Sequence, residues 1–371
     1  MVTYYKPEET FLNGSRTLAR EYYLSPEVFT AEQERIFTKR WFCAGHVSRL
    51  PGAGDYFILD AYAESIIVLR DTNGEVRAFY NVCRHRGTHM CEQAEGRFSK
   101  SIQCPYHAWT YALDGRLIGA PRMKGVADFN KEEFPLHAVN LRVWEGFIFL
   151  NLARTPEPFE QAFAPILGKF GSWNLPQLKP ERRISYDVKA NWKFIFQNYN
   201  ECYHCPPVHP QLARISPFDS GENDLVQGAF IGGFMTIEGA DSLTYSGRTC
   251  ALPVDELPEA DRHRVYYYSI APNMLLSLHP DYVMFHTIWP QAPGQTLIHC
   301  EWLFHPEASL QTDFRPGDGI DFWDETNRQD WHMCELSQKG VASRAYQPGP
   351  YSPQEALPAA FDRNYLEYMK D

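Results

Sequence analysis

What this chain of 371 residues lacks narrows it first. No apolar run approaches the roughly 20 residues that a membrane-spanning helix needs, and the opening Met1 to Thr10 stretch is polar, without the apolar core of a secretion signal. A soluble, cytoplasmic protein is expected. Positive charge is scarce: 35 Lys and Arg against 46 Asp and Glu leave a net charge of −11. Nucleic acid and anionic membranes both require a cationic face, so neither is expected as a partner. No internal repeat or low-complexity tract interrupts the chain. Nine cysteines in a long chain without a secretion signal are expected to be reduced thiols and metal ligands rather than a disulfide scaffold.

An apolar content of 44% with 15% aromatics can fill sizeable cores, and the length suits two domains. Residues 25 to 42 read as a helix, with Thr30 and Gln33 at capping-box spacing, Val28, Phe29, Ile36 and Phe37 on one face, and Trp41 near the end. From Asp55 the texture becomes short β-rich runs, DYFILD, SIIVLR and VRAFYNV, separated by turn signals such as Asn73-Gly74 and Asp114-Gly115. This predicts a small all-β domain closing with GFIFLNL. A proline-spaced connector, Pro156 to Pro180, leads to RRISYDVKAN and then to GAFIGGFMTI, VYYYSIAPNMLLSL, DYVMFHTIWPQ and TLIHCEWLF, which alternate like an antiparallel sheet with one covered face. A helix from about Ile320 to Ser343 would cover it. The expected class is α+β, with an N-terminal helical segment (1–40), a β domain (41–155) and a second domain (156–371).

Two stretches are dense in metal-binding side chains. Glu201 to His209 holds one carboxylate, two histidines and two cysteines in ECYHCPPVH. Pro206 and Pro207 cannot continue a helix, so His204 is expected to end one and His209 to follow the break. Imidazoles placed so can converge on a metal that keeps open positions. In the β domain, Cys83 and His85 are followed, with eighteen residues between, by Cys104 and His107. Zinc fingers space their cysteines more widely and group their histidines. One cysteine and one histidine per loop favours a Rieske 2Fe-2S cluster, with thiolates on one iron and imidazoles on the other. Cys43 and Cys91 read as core thiols, His46 and His89 as hydrogen-bonded polar residues.

With CRH, CPYH and ECYHCPPVH in place, the chain resembles the oxygenase (alpha) subunit of the Rieske non-haem iron oxygenases over nearly its whole length. The resemblance implies that Cys83, His85, Cys104 and His107 bind the cluster and that His204 and His209 bind a mononuclear Fe(II). It also implies a third ligand, an aspartate late in the chain. The family pattern sets that ligand eight residues before a glutamine near the end of the last helix, and counting back from Gln338 gives Asp330, with Asp324 as the alternative. Trp331, Cys334 and Leu336 would seat it against the core. Glu201 stands where the family usually has aspartate, a carboxylate that links cluster and iron across a subunit boundary, so a homotrimer or a multiple of it is implied. The implied fold is a Rieske domain followed by a helix-grip catalytic domain, a curved antiparallel sheet around a long C-terminal helix.

Such a subunit activates O2 with electrons delivered one at a time and inserts oxygen into a small organic molecule. No GxGxxG follows an early strand and no further cluster of four cysteines is present, so NAD(P)H would act through a separate reductase of flavin or ferredoxin type. ECYHC together with YSIAPNMLLSLHPDYVMFHTIWP looks most like the branch acting on quaternary ammonium compounds such as glycine betaine, carnitine or choline. Oxidation of an N-methyl group there releases formaldehyde. Aromatic faces suit a cation, with Phe234, Tyr266, Tyr267, Tyr268, Phe285 and Trp289 as candidates. Hydroxylation of an aromatic ring is the alternative within enzymes; a non-catalytic electron-transfer or zinc-binding protein is the alternative outside them.

Overall fold

The computed structural model describes residues 2–254 and 257–370. The chain forms two compact units, one made of residues 1–36 and 160–371, the other of residues 37–159. Both mix sheet with helix or turn, and the class is α+β.

The 37–159 unit is built from three small antiparallel sheets. Asp55–Ala61, Glu64–Arg70 and Val76–Tyr80 pair in sequence, with Glu95–Arg97 on the outer edge of the first. Ser101–Gln103, Thr110–Ala112 and Leu117–Gly119 form the second sheet. Phe42–His46, Phe147–Asn151 and Asn140–Trp144 form the third. The two turns expected from sequence are there, with Gly74 at φ 85° and Gly115 at φ 91°, left-handed conformations that glycine adopts without Cβ strain. Between the first two sheets lies a core of Ile67, Leu69, Phe79, Ile102, Trp109 and Tyr111, and Cys83 and Cys104 are buried in it.

The larger unit carries a seven-stranded antiparallel sheet in the order Lys179–Val188, Gln295–Phe304, Val283–Ala292, Met274–Leu278, Arg264–Ile270, Phe230–Thr236, Glu222–Gln227. The VYYYSIAPNMLLSL run is two strands rather than one, because Ala271 and Pro272 turn the chain between Ile270 and Met274. A 26-residue helix, Pro316–Val341, buries Ile320, Phe322, Trp323, Asn327, Trp331 and Cys334. Its links to the sheet run through Tyr186 to Asp324, Trp323 to Tyr282, and His286 to Asn327. A further helix, Ala356–Tyr368, was not legible in the sequence, where Pro358 obscures its first turn.

Two local readings are corrected. The helix expected over 25–42 is a seven-residue α-helix, Pro26–Glu32, followed by a π turn over Gln33–Phe37. Its cap is Ser25, whose hydroxyl accepts from the Glu27 and Val28 amides; Thr30 instead donates to the Pro26 carbonyl. Glu32 from this segment is buried with Lys193 as an ion pair and also accepts from Trp192 Nε1 at 2.8 Å and Tyr365 Oη at 2.7 Å. That one carboxylate therefore ties the N-terminal segment, the Trp192–Tyr199 helix and the last helix together. Removing one partner would strand a buried charge, a loss of about 3–5 kcal/mol.

Candidate active site

The two cluster-motif loops have the same construction. The Cys83 amide donates to the Thr88 carbonyl at 2.9 Å and Gly87 N to Cys83 O at 3.0 Å; the Cys104 amide donates to Trp109 O at 2.8 Å and Ala108 N to Cys104 O at 3.1 Å. Each loop thus runs from its cysteine to a residue of positive φ four positions on, Gly87 at 72° and Ala108 at 55°. The cysteines are buried, while both histidines are partly exposed with ring centroids 4.8 Å apart. Burial pushes the Cys83 thiol up, and Tyr111 places its hydroxyl 3.4 Å from that sulfur. His85 is pushed down, first by burial and then by His107 and Arg86, so it is held neutral as a metal-binding imidazole must be. Two thiols inside and two imidazoles outside match the donor set of a 2Fe-2S cluster with mixed ligands.

In the larger unit, Asn191 caps the Trp192–Tyr199 helix by accepting from Lys193 N, and Gln338 of the long helix accepts from Asn191 N at 2.9 Å. The helix ends at Tyr199, so His204 does not terminate it. His204 lies at the cap of a separate four-residue helix, Cys205–Val208, and His209 closes that helix. Pro206 falls in its first turn, where a missing amide costs nothing; the proline pair starts this helix instead of breaking the earlier one. Cys202 and Cys205 form a disulfide, where reduced thiols and metal ligands rather than a disulfide scaffold were expected; the turn around His204 brings the two sulfurs together. The other seven cysteines are buried and outside any disulfide.

His204, His209 and Asp330 bring one donor atom each to within 4.8 Å of one another, and they are the described residues grouped this way. Asp330 Oδ1 is 3.1 Å from His204 Nε2 and 2.8 Å from His209 Nε2. Each imidazole is oriented from behind: His204 Nδ1 donates to Glu201 Oε1 at 2.6 Å, His209 Nδ1 to Gln329 Oε1 at 2.6 Å. Nε2 is thereby the nitrogen of each ring that faces Asp330 and would face a metal, which would displace the proton that His204 carries there. Burial opposes charge at both His204 and Asp330, yet mutual hydrogen bonds prevail. Bonds to Asp330 and Glu201 push His204 up to about 10, and bonds from the two histidines hold Asp330 at about 2. A cation at this point would meet a carboxylate already ionised and two converging imidazoles, the facial set used by non-haem iron.

Residues 40–130 match the model of the Rieske [2Fe-2S] domain, and residues 175–371 match that of the ring hydroxylating alpha subunit (catalytic domain). This chain belongs to the Rieske ring-hydroxylating alpha-subunit family. It is 30% identical over 370 residues to the glycine betaine monooxygenase oxygenase subunit of Pseudomonas aeruginosa, covering 91% of this chain and 85% of that one. Identity to the carnitine monooxygenase oxygenase subunit of Escherichia coli K12 is 32% over 335 residues, with 89% and 85% covered. The crystal structure of the quaternary ammonium Rieske monooxygenase CntA in complex with an inhibitor superposes with a TM-score of 0.82 at 26% identity, covering all of both chains. The alpha subunit is thus an oxidoreductase that uses O2, with a 2Fe-2S domain and a catalytic domain for mononuclear iron. As the oxygenase component of a multicomponent system it acts on a small molecule and draws electrons from a separate reductase. Among its described residues no helix is long and apolar enough to cross a membrane.

The cavity of this alpha subunit contains the triad and is walled by aromatic rings meeting edge to face. Trp323 meets Tyr267, Tyr267 meets Tyr199, Tyr199 meets His286, and His286 meets Trp331, with centroids 5.9–6.3 Å apart. Of the six aromatics expected from sequence, Tyr267 and Phe234 line the cavity. Phe234 is an incomplete match, since the Arg264 guanidinium covers its ring at 3.8 Å. Tyr266 and Tyr268 stack on each other and donate to Asp261 and Asp224, while Phe285 and Trp289 are buried away from the cavity. Strand parity explains this, because residues one apart face opposite ways. Sequence reading missed Tyr199, His286, Trp323 and Asn327 as cavity walls, and also Trp331, which was expected only in the seat under Asp330. A signal was present: 323, 326, 327, 330 and 331 follow the spacing of a single helix face through Asp330. Asp324 is six residues from Asp330, about 240° around the helix, and accepts from Tyr186 Oη instead. Leu336 is exposed, not part of the seat under Asp330, which Trp331 and Cys334 form.

Proposed function

We propose that this alpha subunit hydroxylates an N-methyl group of a small quaternary ammonium compound. The carbinol product, R–N⁺(CH3)2–CH2OH, then releases formaldehyde, a proton and the tertiary amine. One O2, two electrons and two protons are consumed and one water forms. In this reading Cys83, His85, Cys104 and His107 hold the cluster, and His204, His209 and Asp330 hold the iron. When bound, these groups supply electrons singly and activate O2. The chain's own residues do the rest. Glu201 and Gln329 orient the iron histidines, and Tyr199, Tyr267, Trp323 and Trp331 offer ring faces to the cation while excluding water.

The observation that carries this reading is the ring wall around the triad, with two anionic side chains, Glu201 and Asp330, in the same cavity. The relatives named for glycine betaine and carnitine, and the likeness to a quaternary ammonium monooxygenase, support it. The same reading makes residues 41–155 the point of electron entry, and 1–40 with 156–371 the catalytic part. It includes a cytoplasmic homotrimer, or a multiple of it, in which Glu201 links one subunit's iron histidine to the neighbour's cluster, and a flavin or ferredoxin-type reductase fed by NAD(P)H. The test is turnover of the holoenzyme with a reductase on trimethylammonium compounds and on aromatic acids. Formaldehyde in step with O2 uptake is expected from the first group; ring hydroxylation without formaldehyde would overturn the assignment.

A further inference from the structure

One wall of the catalytic cavity differs from the rest. Met284 and His286 line it from an inner strand of the seven-stranded sheet, Trp323 and Trp331 from the long helix, and all four are buried. Pro7 lines it too, from a four-residue helix, Pro7–Thr10, that buries none of its residues. Residues 4–10 form a strap between two parts of the rim. On one side Tyr5 and Asn223 exchange both backbone hydrogen bonds, at 2.9 and 2.8 Å, the Tyr4 ring meets Phe234 edge-on at 4.9 Å, and Lys6 Nζ lies 3.6 Å from Glu222. On the other, Gln354 Nε2 donates to Glu8 Oε1. Asn223, Phe234 and Gln354 themselves line the cavity.

These ties are few and solvated. The Tyr5–Asn223 bridge stands alone, outside any strand ladder. Both ends of the Lys6–Glu222 pair are exposed, as is the Glu8–Gln354 contact, and exposed pairs of this kind add little to stability. Releasing the strap opens no strand ladder and empties no core, whereas moving Met284 or Trp323 would do one or the other. Elements held in this way lie at the low end of local stability, the end from which lids are drawn.

A hinge lies where the strap rejoins the fold. Ser15 O accepts from Tyr351 N and Thr17 N donates to Gly349 O, both at 3.0 Å, so residues 15–17 are fixed alongside 349–351. Gly14, just before them, has φ 86°, and a Cβ there would meet no atom within 4 Å. Crowding therefore does not demand glycine at this position; the left-handed turn does, and glycine leaves such a conformation for others at small cost. The strap can swing about this turn while residues 15–17 stay anchored.

We propose that residues 4–10 are the lid of the catalytic cavity: the strap swings about Gly14 to admit substrate, then closes with Pro7 in the cavity wall and shuts out water during turnover. Which substrate occupies the cavity does not enter, so the lid stands or falls apart from the quaternary ammonium reading.

The test has two arms, both on the holoenzyme, with whichever trimethylammonium compound or aromatic acid of the panel above drives O2 uptake. In hydrogen exchange without reductase, the Tyr5 and Asn223 amides are expected to be at least about a hundredfold less protected than those of the Val283–Ala292 strand. Substrate at ten times its Kd should raise their protection about tenfold, since it holds the lid closed. In the second arm, Tyr5→Cys with Asn223→Cys ties the strap down. Opposed residues that share both backbone hydrogen bonds sit about 5.5 Å apart at Cα, within the reach of a disulfide. Oxidation by glutathione disulfide forms the bond and releases two glutathione thiols. The oxidised variant is expected to bind and release isotopically labelled substrate at least about tenfold more slowly than the same protein after dithiothreitol, with kcat/KM for O2 uptake lowered to match. Wild type taken through both treatments corrects for the Cys202–Cys205 pair, and cluster absorption and iron content show that the variant is folded and loaded. Equal rates in its oxidised and reduced forms, or strap amides as protected as those of the sheet, would overturn the lid and leave N-demethylation intact. An aromatic acid as the compound turned over would overturn N-demethylation and leave the lid to these same two readouts.

Discussion

The four cluster donors sit in two loops of one design, each closed by backbone hydrogen bonds within six residues, whereas the three mononuclear donors come from a tight turn and a helix more than 120 positions later. In the loops, the chain places cysteine and histidine almost by itself, and the surrounding strands only bury the sulfurs. At the triad nothing local brings Asp330 to the histidines. The capped helix, the Gln338 bond to Asn191 and the buried Glu32–Lys193 pair hold the two segments together there. Local geometry makes one site robust, and tertiary packing makes the other adjustable.

Four experiments would break or sharpen that contrast. The largest effect is expected from His204→Ala, which should abolish substrate-dependent O2 uptake, a fall of at least about a thousandfold for a missing metal ligand, while cluster absorption persists. Loss of both signals together would mean that the sites are not separately assembled.

Next in size is a pH effect in the packing of the last helix against the Trp192–Tyr199 helix. Burial pushes Asp362 up to about 7, against hydrogen bonds from Gln197 and Tyr351 that favour its ionised form. A carboxyl raised in the folded state adds stability that is full below about pH 4 and is lost as the pH rises through 7. The span is on the order of a few kcal/mol. Denaturant titrations from pH 4 to 8 should show the larger unit weakening over this window, and Asp362→Asn should flatten the trend. A trend unchanged in the variant would assign the effect elsewhere.

Smaller again are the residues behind the histidines. Glu201→Gln and Gln329→Ala should each lower iron affinity or turnover about 10–100-fold without moving the cluster spectrum, read by chelator competition. The smallest effect should come from the loops. Gly87→Ala places a Cβ at φ 72° and should cost about 1 kcal/mol, while Ala108→Gly should change stability by less than about 0.5 kcal/mol, since relief of strain is offset by the freer unfolded chain. Thermal unfolding of the cluster-loaded protein measures both.

The same contrast governs how much the sequence could tell. CRH and CPYH could be read because the donors and their turns are neighbours in the chain. Most of the strands and the covering helix were legible from alternation and length, but not the edge strand Glu222–Gln227, the turn that splits Arg264–Ile270 from Met274–Leu278, or the last helix. Asp330 came from the counting pattern of a resembled family, and the structure sets it between His204 and His209. The walls of the cavity were hidden because parity is decided by pairing: Gly233 opposite Tyr267 sends that ring inward while Tyr266 and Tyr268 go the other way. His286 and Asn327 look like ordinary polar residues until the sheet and the long helix meet. The disulfide was masked by reading the nine cysteines from their number alone, which says nothing of two cysteines on either side of one turn.

Iron counting on Asp330→Ala, with substrate-dependent O2 uptake measured on the same sample, tests most directly whether one chain builds two independent iron sites that act together. Wild type should hold about three irons per chain and the variant about two, with cluster absorption unchanged and O2 uptake gone. A variant that keeps the full iron content and full turnover, or a wild type carrying a single zinc between Cys83 and Cys104, would contradict the account.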